Sequence, residues 1–234
     1  MKVAVIGQSN TLARSLSDAG ATSISFKNSL AFDLHIFEHI IVTAFDPNGK
    51  RKIIDNKYEK KLLKRIRNKN VTYVSSLRCS DINTPIRHRF YVKNKLKNEN
   101  LFLNGCLNSR VLRIPNLISV VDGNFYHQLS GHIKRNEIVF NLSEKSSFNI
   151  LPPESLNNVV KDFGSTVGGI ENIMATNSLT VREIAEYLKL KFQINNLSFG
   201  DKIEESILDQ KYHQTKIDLP KTEILKRIEE ELKK

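Results

Sequence analysis

The sequence predicts an α/β protein with a mostly parallel sheet, helices on both faces of that sheet, and a small C-terminal α/β lobe. Two observations support this. Short, continuous apolar runs alternate with amphipathic stretches through the first half of the chain. A glycine also follows the first apolar run and opens a helical stretch. Apolar runs of this kind are typical of strands buried on both faces, which parallel sheets require.

The first half of the chain contains five candidate strands and three candidate helices. The strands are expected at 2–6, 22–26, 39–45, 71–76 and 110–114, and the helices at 11–19, 55–68 and 87–103. This is a βαβ alternation with one helix missing, which predicts a parallel sheet covered on both faces. We therefore assign residues 1–118 to a Rossmann-like dinucleotide-binding domain.

The pattern changes after about residue 117, where the predicted elements become shorter. We assign residues 119–234 to a small substrate-binding lobe whose late segments return to the main sheet. Thr180 followed by Glu183 matches a capping box, which predicts the start of a helix there. A last helix is expected after Pro220.

Composition limits the class of protein. The formal net charge is +11, and the densest basic stretch is 49–70, whose apolar residues recur at helical spacing. A solvated cationic helix face is one interpretation, and a contact surface for nucleic acid or an anionic membrane is the other. No apolar run is long enough for a membrane span or a secretory signal. Cys79 and Cys106 lack metal-site spacing, so a reducing, cytoplasmic setting is the simplest expectation.

The turn after the first strand is a candidate phosphate-binding site. Residues 5–13 read "VIGQSNTLA", at the position where a dinucleotide pyrophosphate meets backbone N–H groups. A full fingerprint has three glycines, whereas this chain has Gly7, Asn10 and Ala13. Asn tolerates left-handed backbone and Ala is small enough for close helix packing. An ordinary strand-to-helix turn is the alternative.

Ser76, Tyr91 and Lys95 are the candidate catalytic residues. Ser76 ends a predicted strand, at the edge where open α/β sheets bind ligands. Tyr91 and Lys95 are four apart on a predicted helix and so share a face. A Lys ammonium beside a phenol lowers the phenol pKa from its usual value of about 10 and makes proton transfer feasible. A serine that caps a turn and a chance Tyr–Lys spacing in a Lys-rich chain are the alternatives.

The order of these features resembles the extended branch of the short-chain dehydrogenase/reductase superfamily, as a pared-down member. "YVKNKLKNENL" resembles Y-x-x-x-K-L-x-x-E and includes Glu99; "VLRIPNLIS" resembles L-R-x-x-N-x-x-G with Ser119 in place of glycine. "TAF", residues 43–45, resembles the family's Ala-Ala segment, and "IENIMATNSLTVREIAEYL" resembles its C-terminal segment. The resemblance runs nearly end to end.

The resemblance implies a role for each matching residue. Ser76 would bind the reacting sugar oxygen, Tyr91 would be the general acid/base, and Lys95 would hold the cofactor ribose and lower the Tyr91 pKa. Gly7, Asn10, Ala13, Ala44 and Pro115 would line the cofactor, and Arg113 and Asn116 would bind substrate. Lys27, after the second strand, favours NADP over NAD because it suits a 2′-phosphate.

Departures from the family pattern narrow the expected reaction. Leu77-Arg78 follow Ser76, where family dehydratases have Asp-Glu, so reduction or epimerisation is expected. The expected activity is an NAD(P)-dependent reductase or epimerase acting on a nucleotide-linked sugar, in surface polysaccharide biosynthesis.

The alternatives are a non-catalytic Rossmann-like nucleotide-binding or sensor protein, which the short stretch 28–38 favours, and contact of the basic helix with nucleic acid or an anionic membrane. A homodimer through helices 55–68 and 87–103 is implied by the resemblance, although both helices are basic.

Overall fold

The structure is a computed structural model. It describes residues 1–7, 10–43, 57–80, 89–118, 147–163, 168–189 and 212–233. Its strands are β1 (Val3–Ile6), β2 (Thr22–Ile24), β3 (His39–Val42), β4 (Asn70–Ser76), β5 (Asn108–Ile114), β6 (Asn116–Leu117), β7 (Ser147–Leu151), β8 (Ile170–Ala175), β9 (Ser178–Thr180) and β10 (His213–Ile217). Its helices are α1 (Thr11–Asp18), α2 (Lys57–Ile66), α3 (Arg89–Gly105), α4 (Asn157–Lys161), α5 (Val181–Tyr187) and α6 (Lys221–Leu232).

A seven-stranded sheet forms the centre of the fold, in the order β10-β8-β5-β4-β3-β1-β2. Every pair of neighbouring strands in it is parallel. Parallel neighbours require crossover connections, which explains why helices alternate with strands in the first half of the chain. The five predicted strands of the first half are all present, with ends that differ by a few residues.

Helices cover both faces of this sheet. Leu62 and Ile66 of α2 and Phe102 of α3 pack against one face, together with Ile40 and Tyr73 of the sheet. Leu12, Ala13 and Leu16 of α1 pack against the other face, where Leu156 and Val160 of the α4 region join them. All four residues of β3 are buried, as a strand covered on both sides requires. The predicted fold class, a Rossmann-like α/β sheet, is confirmed.

A smaller three-stranded sheet, β6-β7-β9, lies beside the main one. Its core joins Phe148 and Leu179 of the small sheet to Ile184 of α5 and Ile224 of α6. The predicted capping box at the start of α5 is present, with both reciprocal hydrogen bonds. The later strands β8 and β10 belong to the main sheet, so the C-terminal half contributes to both sheets.

The short stretch between β2 and β3 forms two 3-10 turns, at Asn28–Leu30 and Leu34–Ile36. Basic side chains from the α2 region hold it. Arg65 donates to the Ser29 and Phe32 carbonyls at 2.8 and 2.9 Å, and Lys69 donates to the His35 carbonyl at 2.8 Å. Part of the basic stretch therefore binds the protein's own backbone.

Membrane-spanning helices and metal sites are two further features that bear on function. Within the described residues, no helix has both the length and the apolar character needed to cross a membrane. Over the same part of the chain, no group of three or more His, Cys, Asp or Glu side chains is arranged to hold a metal ion.

Candidate active site

The strand order places a crevice at the carboxyl end of β1. β1 lies between β3 and β2. The chain runs from β1 to β2 on one side and then crosses to β3 on the other side. This reversal of strand order creates the switch point where such sheets bind ligands. Gly7 follows β1 directly and has a φ of 128°. Its N–H donates to the Ile24 carbonyl at 3.0 Å. Only glycine adopts this backbone conformation without strain, which explains the residue type at this position.

Asn10 and Ala13 replace the second and third glycines of the fingerprint in different ways. Asn10 is the N-cap of α1, and its Oδ1 accepts from the Ala13 N–H at 2.8 Å. Its Nδ2 donates to the carbonyl and hydroxyl of Thr43, at 3.0 and 2.7 Å. The Asn10 backbone is extended, with φ −94°, so the expected left-handed tolerance is not used here. Instead the side chain joins the start of α1 to the end of β3.

The residues at this turn fit a dinucleotide. Ala13 is completely buried between α1 and the sheet, which is the close packing that the third glycine of the fingerprint provides. α1 begins at Thr11, shortly after the turn, and the positive dipole end of a helix favours a pyrophosphate. Lys27 follows β2 at the same edge of the sheet and is exposed, so a cation is available to a 2′-phosphate.

Ser76 and Tyr91 lie together. Ser76 is the last residue of β4, and Tyr91 lies in the first turn of α3. Their hydroxyls share a hydrogen bond. The Ser76 Oγ also accepts from the Arg78 N–H at 3.3 Å. Both residues are partly buried, and the pair lies at the carboxyl edge of the sheet.

The Tyr91 pKa differs from the expectation. The pKa of the phenol is raised above its ordinary value, chiefly because the group is buried. The hydrogen bond with Ser76 lowers the pKa, and the nearby Cys79 raises it. Arg78 lowers the pKa and Glu99 raises it, both by smaller amounts. The expected lowering of the phenol pKa is therefore wrong for this structure, because burial penalises the phenolate more than its neighbours stabilise it.

Lys95 lies one helical turn after Tyr91 and is 4% exposed. Its Nζ donates to the Val74 carbonyl at 3.1 Å and lies 5.3 Å from the centroid of the Tyr73 ring. Burial lowers the pKa of the Lys95 ammonium to about 8. The ammonium therefore lies in the wall of the site, beneath the end of β4.

Arg113 lies inside the fold and pairs with Glu99 rather than facing a substrate site, which corrects the expectation. The residue is 1% exposed. Its Nε and Nη2 donate to the two carboxylate oxygens of Glu99 at 3.0 and 2.7 Å, and its Nη1 donates to the Ser80 Oγ at 2.9 Å. All three nitrogens thus donate to side chains within the fold. Because the guanidinium is also buried, its remaining N–H groups do not face a ligand surface.

The remaining predicted residues follow β5. Ser76 pairs in register with Ile114 of that strand, so the residues after Ile114 lie beside Ser76 at the carboxyl edge. Pro115 is buried and Asn116 is half-buried. Ala44 lies outside the described residues.

Two neighbours of Tyr91 were not singled out from the sequence as site residues. Cys79 lies on the 3-10 turn after β4, with its Sγ 3.6 Å from the Ser75 Oγ. Burial raises the pKa of its thiol to about 11, so the group is a neutral thiol at ordinary pH. Glu99 appears in the helix motif, but its partner is fourteen residues further along the chain. No spacing rule identifies either contact.

Solved structures share this architecture from end to end. UDP-glucose 4-epimerase of Thermotoga maritima, determined with UDP-glucose, superimposes with a TM-score of 0.72 at 14% identity, covering 100% of this chain and 98% of that one. RMD from Pseudomonas aeruginosa, determined with NADPH, gives 0.67 at 14% identity, covering 99% and 97%. A dTDP-4-dehydrorhamnose reductase ortholog from Clostridium acetobutylicum gives 0.62 at 14% identity, covering 92% and 89%.

The fold is that of the nucleotide-sugar epimerases and reductases. This agrees with the resemblance drawn from the order of the motifs. Searches with family models and against curated protein sequences find no match to the chain. The fold is therefore evident in the backbone, while the sequence is only 14% identical to each of these three structures.

Proposed function

We propose that the chain is an NAD(P)-dependent reductase or epimerase that acts on a nucleotide-linked sugar. One observation carries the proposal: the hydrogen bond between Ser76 and Tyr91, at the same sheet edge as the positive-φ turn at Gly7. A phenol and a hydroxyl directed at one sugar oxygen, beside a turn suited to a dinucleotide, can hold a ketone or alcohol for proton transfer. We also propose that the reaction belongs to surface polysaccharide biosynthesis, as expected from the sequence.

The protonation state of Tyr91 supports reduction. Because its pKa is raised, the phenol carries its proton at neutral pH and can donate it to a sugar ketone oxygen. Ser76 holds that oxygen by a second hydrogen bond. A bound nicotinamide would supply the hydride. Oxidation of an alcohol, which an epimerase needs in its first half-reaction, requires Tyr91 to accept a proton and is less favoured while the phenol stays protonated.

Lys95 is proposed to hold the cofactor ribose. Its pKa of about 8 leaves it mostly charged at neutral pH, and its position beneath the end of β4 is at the edge where the dinucleotide lies. A ribose hydroxyl would give this ammonium a further hydrogen-bond acceptor. Charge from the bound pyrophosphate would also favour its protonated form.

The other binding residues belong to the same proposal. Gly7, Asn10 and Ala13 shape the pyrophosphate turn, Ala44 and Pro115 flank the cofactor, and Asn116 contacts substrate. Lys27 is exposed beside β2, which favours NADP. Residues 119–234 are proposed to form most of the substrate lobe.

A non-catalytic nucleotide-binding or sensor protein is the second candidate. Two observations favour it: Asn10 occupies a glycine position of the turn, and the phenol pKa is raised rather than lowered. Binding without turnover requires the turn but no proton transfer. The two candidates therefore differ in turnover alone.

Three measurements on the purified protein test the proposal. Titration with NADPH, followed by cofactor fluorescence, is expected to show saturable binding. Incubation of NADPH with UDP- and dTDP-linked 4-keto sugars is expected to oxidise the cofactor in proportion to the sugar reduced. Epimerisation causes no net change in the cofactor, so UDP- and dTDP-linked sugars are also tested for epimerised product. Binding with neither NADPH oxidation nor epimerisation would support the second candidate. The absence of binding at about millimolar NADPH, a Kd that corresponds to only about 4 kcal/mol, would contradict both.

A further inference from the structure

Arg113 holds two separate elements of the candidate site at once. Its Nε and Nη2 donate to the carboxylate of Glu99 on α3. Its Nη1 donates to Ser80, on the 3-10 turn that follows β4. α3 carries Tyr91 and β4 ends at Ser76. The Arg113 guanidinium of β5 therefore contacts α3 and the turn after β4, the two parts of the chain next to the Ser76–Tyr91 pair.

The bond to Glu99 controls the orientation of α3. Tyr91, Lys95 and Glu99 follow one another at four-residue steps and therefore share one face of this helix. A planar guanidinium that binds both oxygens of a carboxylate fixes angle as well as distance. The Glu99 and Arg113 side chains are each only 2% exposed, so water offers neither group another partner.

The bond to Ser80 extends the contact across the sheet. Ser80 donates in turn to Asn172 Oδ1 at 2.6 Å, and both residues are buried. Asn172 lies on the neighbouring strand β8, where it pairs in register with Arg113 of β5. The Tyr212 ring covers the guanidinium, with the Arg113 Cζ 4.5 Å from the ring centroid. A buried and connected set of hydrogen bonds of this kind adopts one arrangement.

We propose that Glu99, Arg113 and Ser80 form a positioning network that fixes the Tyr91 phenol against the Ser76 hydroxyl. The inference rests on the proposed function, in which that pair transfers a proton to and from a sugar oxygen. None of the three residues is a catalytic residue, since each acts through Tyr91 or Ser76. The network also affects the site electrostatically, because the negative charge of the buried Glu99 carboxylate raises the pKa of the Tyr91 phenol.

Two variants test the network. Ser80→Ala removes the bonds to Arg113 and Asn172 but leaves the ion pair, and it is expected to lower kcat by about 10- to 100-fold at an unchanged Kd for NADPH, since small displacements of reacting groups cost about this much. Glu99→Gln is expected to lower kcat and also to move the basic limb of the pH–rate profile to lower pH, because it removes the negative charge that raises the Tyr91 pKa. Arg227 lies on α6 and forms an exposed ion pair with Glu154. Arg227→Lys is the matched control and is expected to leave both quantities unchanged.

The outcome is separable from that of the proposed function. With an active wild-type protein, a Ser80→Ala kcat and a Glu99→Gln pH profile that match the wild type would overturn the network, even if both variants lose thermal stability. With an inactive wild-type protein, the proposed function fails, and the network is tested by NMR titration of ring-labelled tyrosine, with Tyr91→Phe to assign the signal. The network then predicts a lower Tyr91 pKa in Glu99→Gln, and an unchanged pKa overturns it.

Discussion

The hydroxyl of Ser76 and the phenol of Tyr91 share a hydrogen bond across the gap between β4 and α3. The two residues are distant in sequence, and two different elements bring them to one edge of the sheet. The bond lowers the pKa of the phenol against a larger opposing effect of burial. The proton-transfer chemistry proposed here depends on this contact.

Replacing Ser76 should impair chemistry more than cofactor binding. Ser76→Ala removes the hydroxyl that holds Tyr91, so we expect kcat to fall by about 100-fold while the Kd for NADPH stays within about twofold. Ser75→Ala is the matched control, because successive strand residues point to opposite faces and Ser75 contacts Cys79 instead. Steady-state kinetics of both variants provide the test, and equal losses in the two would contradict the assignment.

Lys27 should set the preference between NADPH and NADH. Lys27→Glu places a negative charge where the 2′-phosphate is proposed to lie, so NADPH affinity should fall by at least about tenfold, a change of about 1.4 kcal/mol. NADH affinity should change little, since NADH lacks that phosphate. Lys64→Glu, at the far end of α2 and also exposed, controls for net charge. Fluorescence titrations that show equal losses for both cofactors would exclude this role for Lys27.

Lys95 should cost the protein stability at neutral pH. Its folded-state pKa of about 8 lies below the ordinary value of 10.5, so the unfolded chain binds more protons between these values. Stability therefore rises with pH across that window, by about 3 kcal/mol in total. Lys95→Met should remove this rise. Subtracting about 1 kcal/mol for the lost bond to Val74, we expect the variant to be more stable than the wild type by about 2 kcal/mol near neutral pH.

Urea unfolding of wild type and Lys95→Met across the alkaline range checks this prediction. Lys93→Met, on the same helix and exposed, is the control and should follow the wild-type curve. A Lys95→Met protein less stable than the wild type at neutral pH would show that the bond to Val74 outweighs the cost of the buried charge.

His39 should contribute to acid sensitivity at the opposite edge of the sheet. It is completely buried, its Nε2 lies 2.8 Å from Thr72 Oγ1, and burial followed by the nearby Arg110 lowers its pKa to about 4. Since the folded pKa lies below the ordinary value of 6.5, stability is lost as pH falls through this window. The loss amounts to about 3 kcal/mol.

A comparison of two histidine variants measures that contribution. The free energy of unfolding of His39→Gln should depend less on pH in the acid range than that of the wild type. His35→Gln, on an exposed turn, should show the wild-type dependence. Equal acid transitions in all three proteins would mean that other groups set the acid limit.

The architecture was predictable because its signals are local. The buried strand β3 reads as an apolar run, and the start of α5 reads as a capping box. Both depend on residues within one element. The turn at Gly7 was predictable for the same reason, since a glycine between an apolar run and a helical stretch indicates a strand-to-helix turn. Its positive φ is known only from the structure.

The site was predictable only in part, because burial depth and pairing are tertiary properties. The sequence placed Tyr91 near Ser76 through the order of motifs, yet the direction of the phenol pKa depends on how deeply α3 packs. An arginine suits both a phosphate and a buried carboxylate. The motif at Arg113 therefore indicates a substrate contact, whereas in the structure the partner of Arg113 is Glu99.

The most direct test of the proposed function is turnover by Tyr91→Phe at saturating NADPH. The substitution removes the phenol hydroxyl but keeps the ring, so packing of α3 and binding of the dinucleotide should persist. We predict a Kd for NADPH within about twofold of the wild type and a kcat at least about 100-fold lower, the scale of general acid–base catalysis. A Tyr91→Phe protein that turns over its nucleotide-linked sugar at the wild-type rate would contradict it.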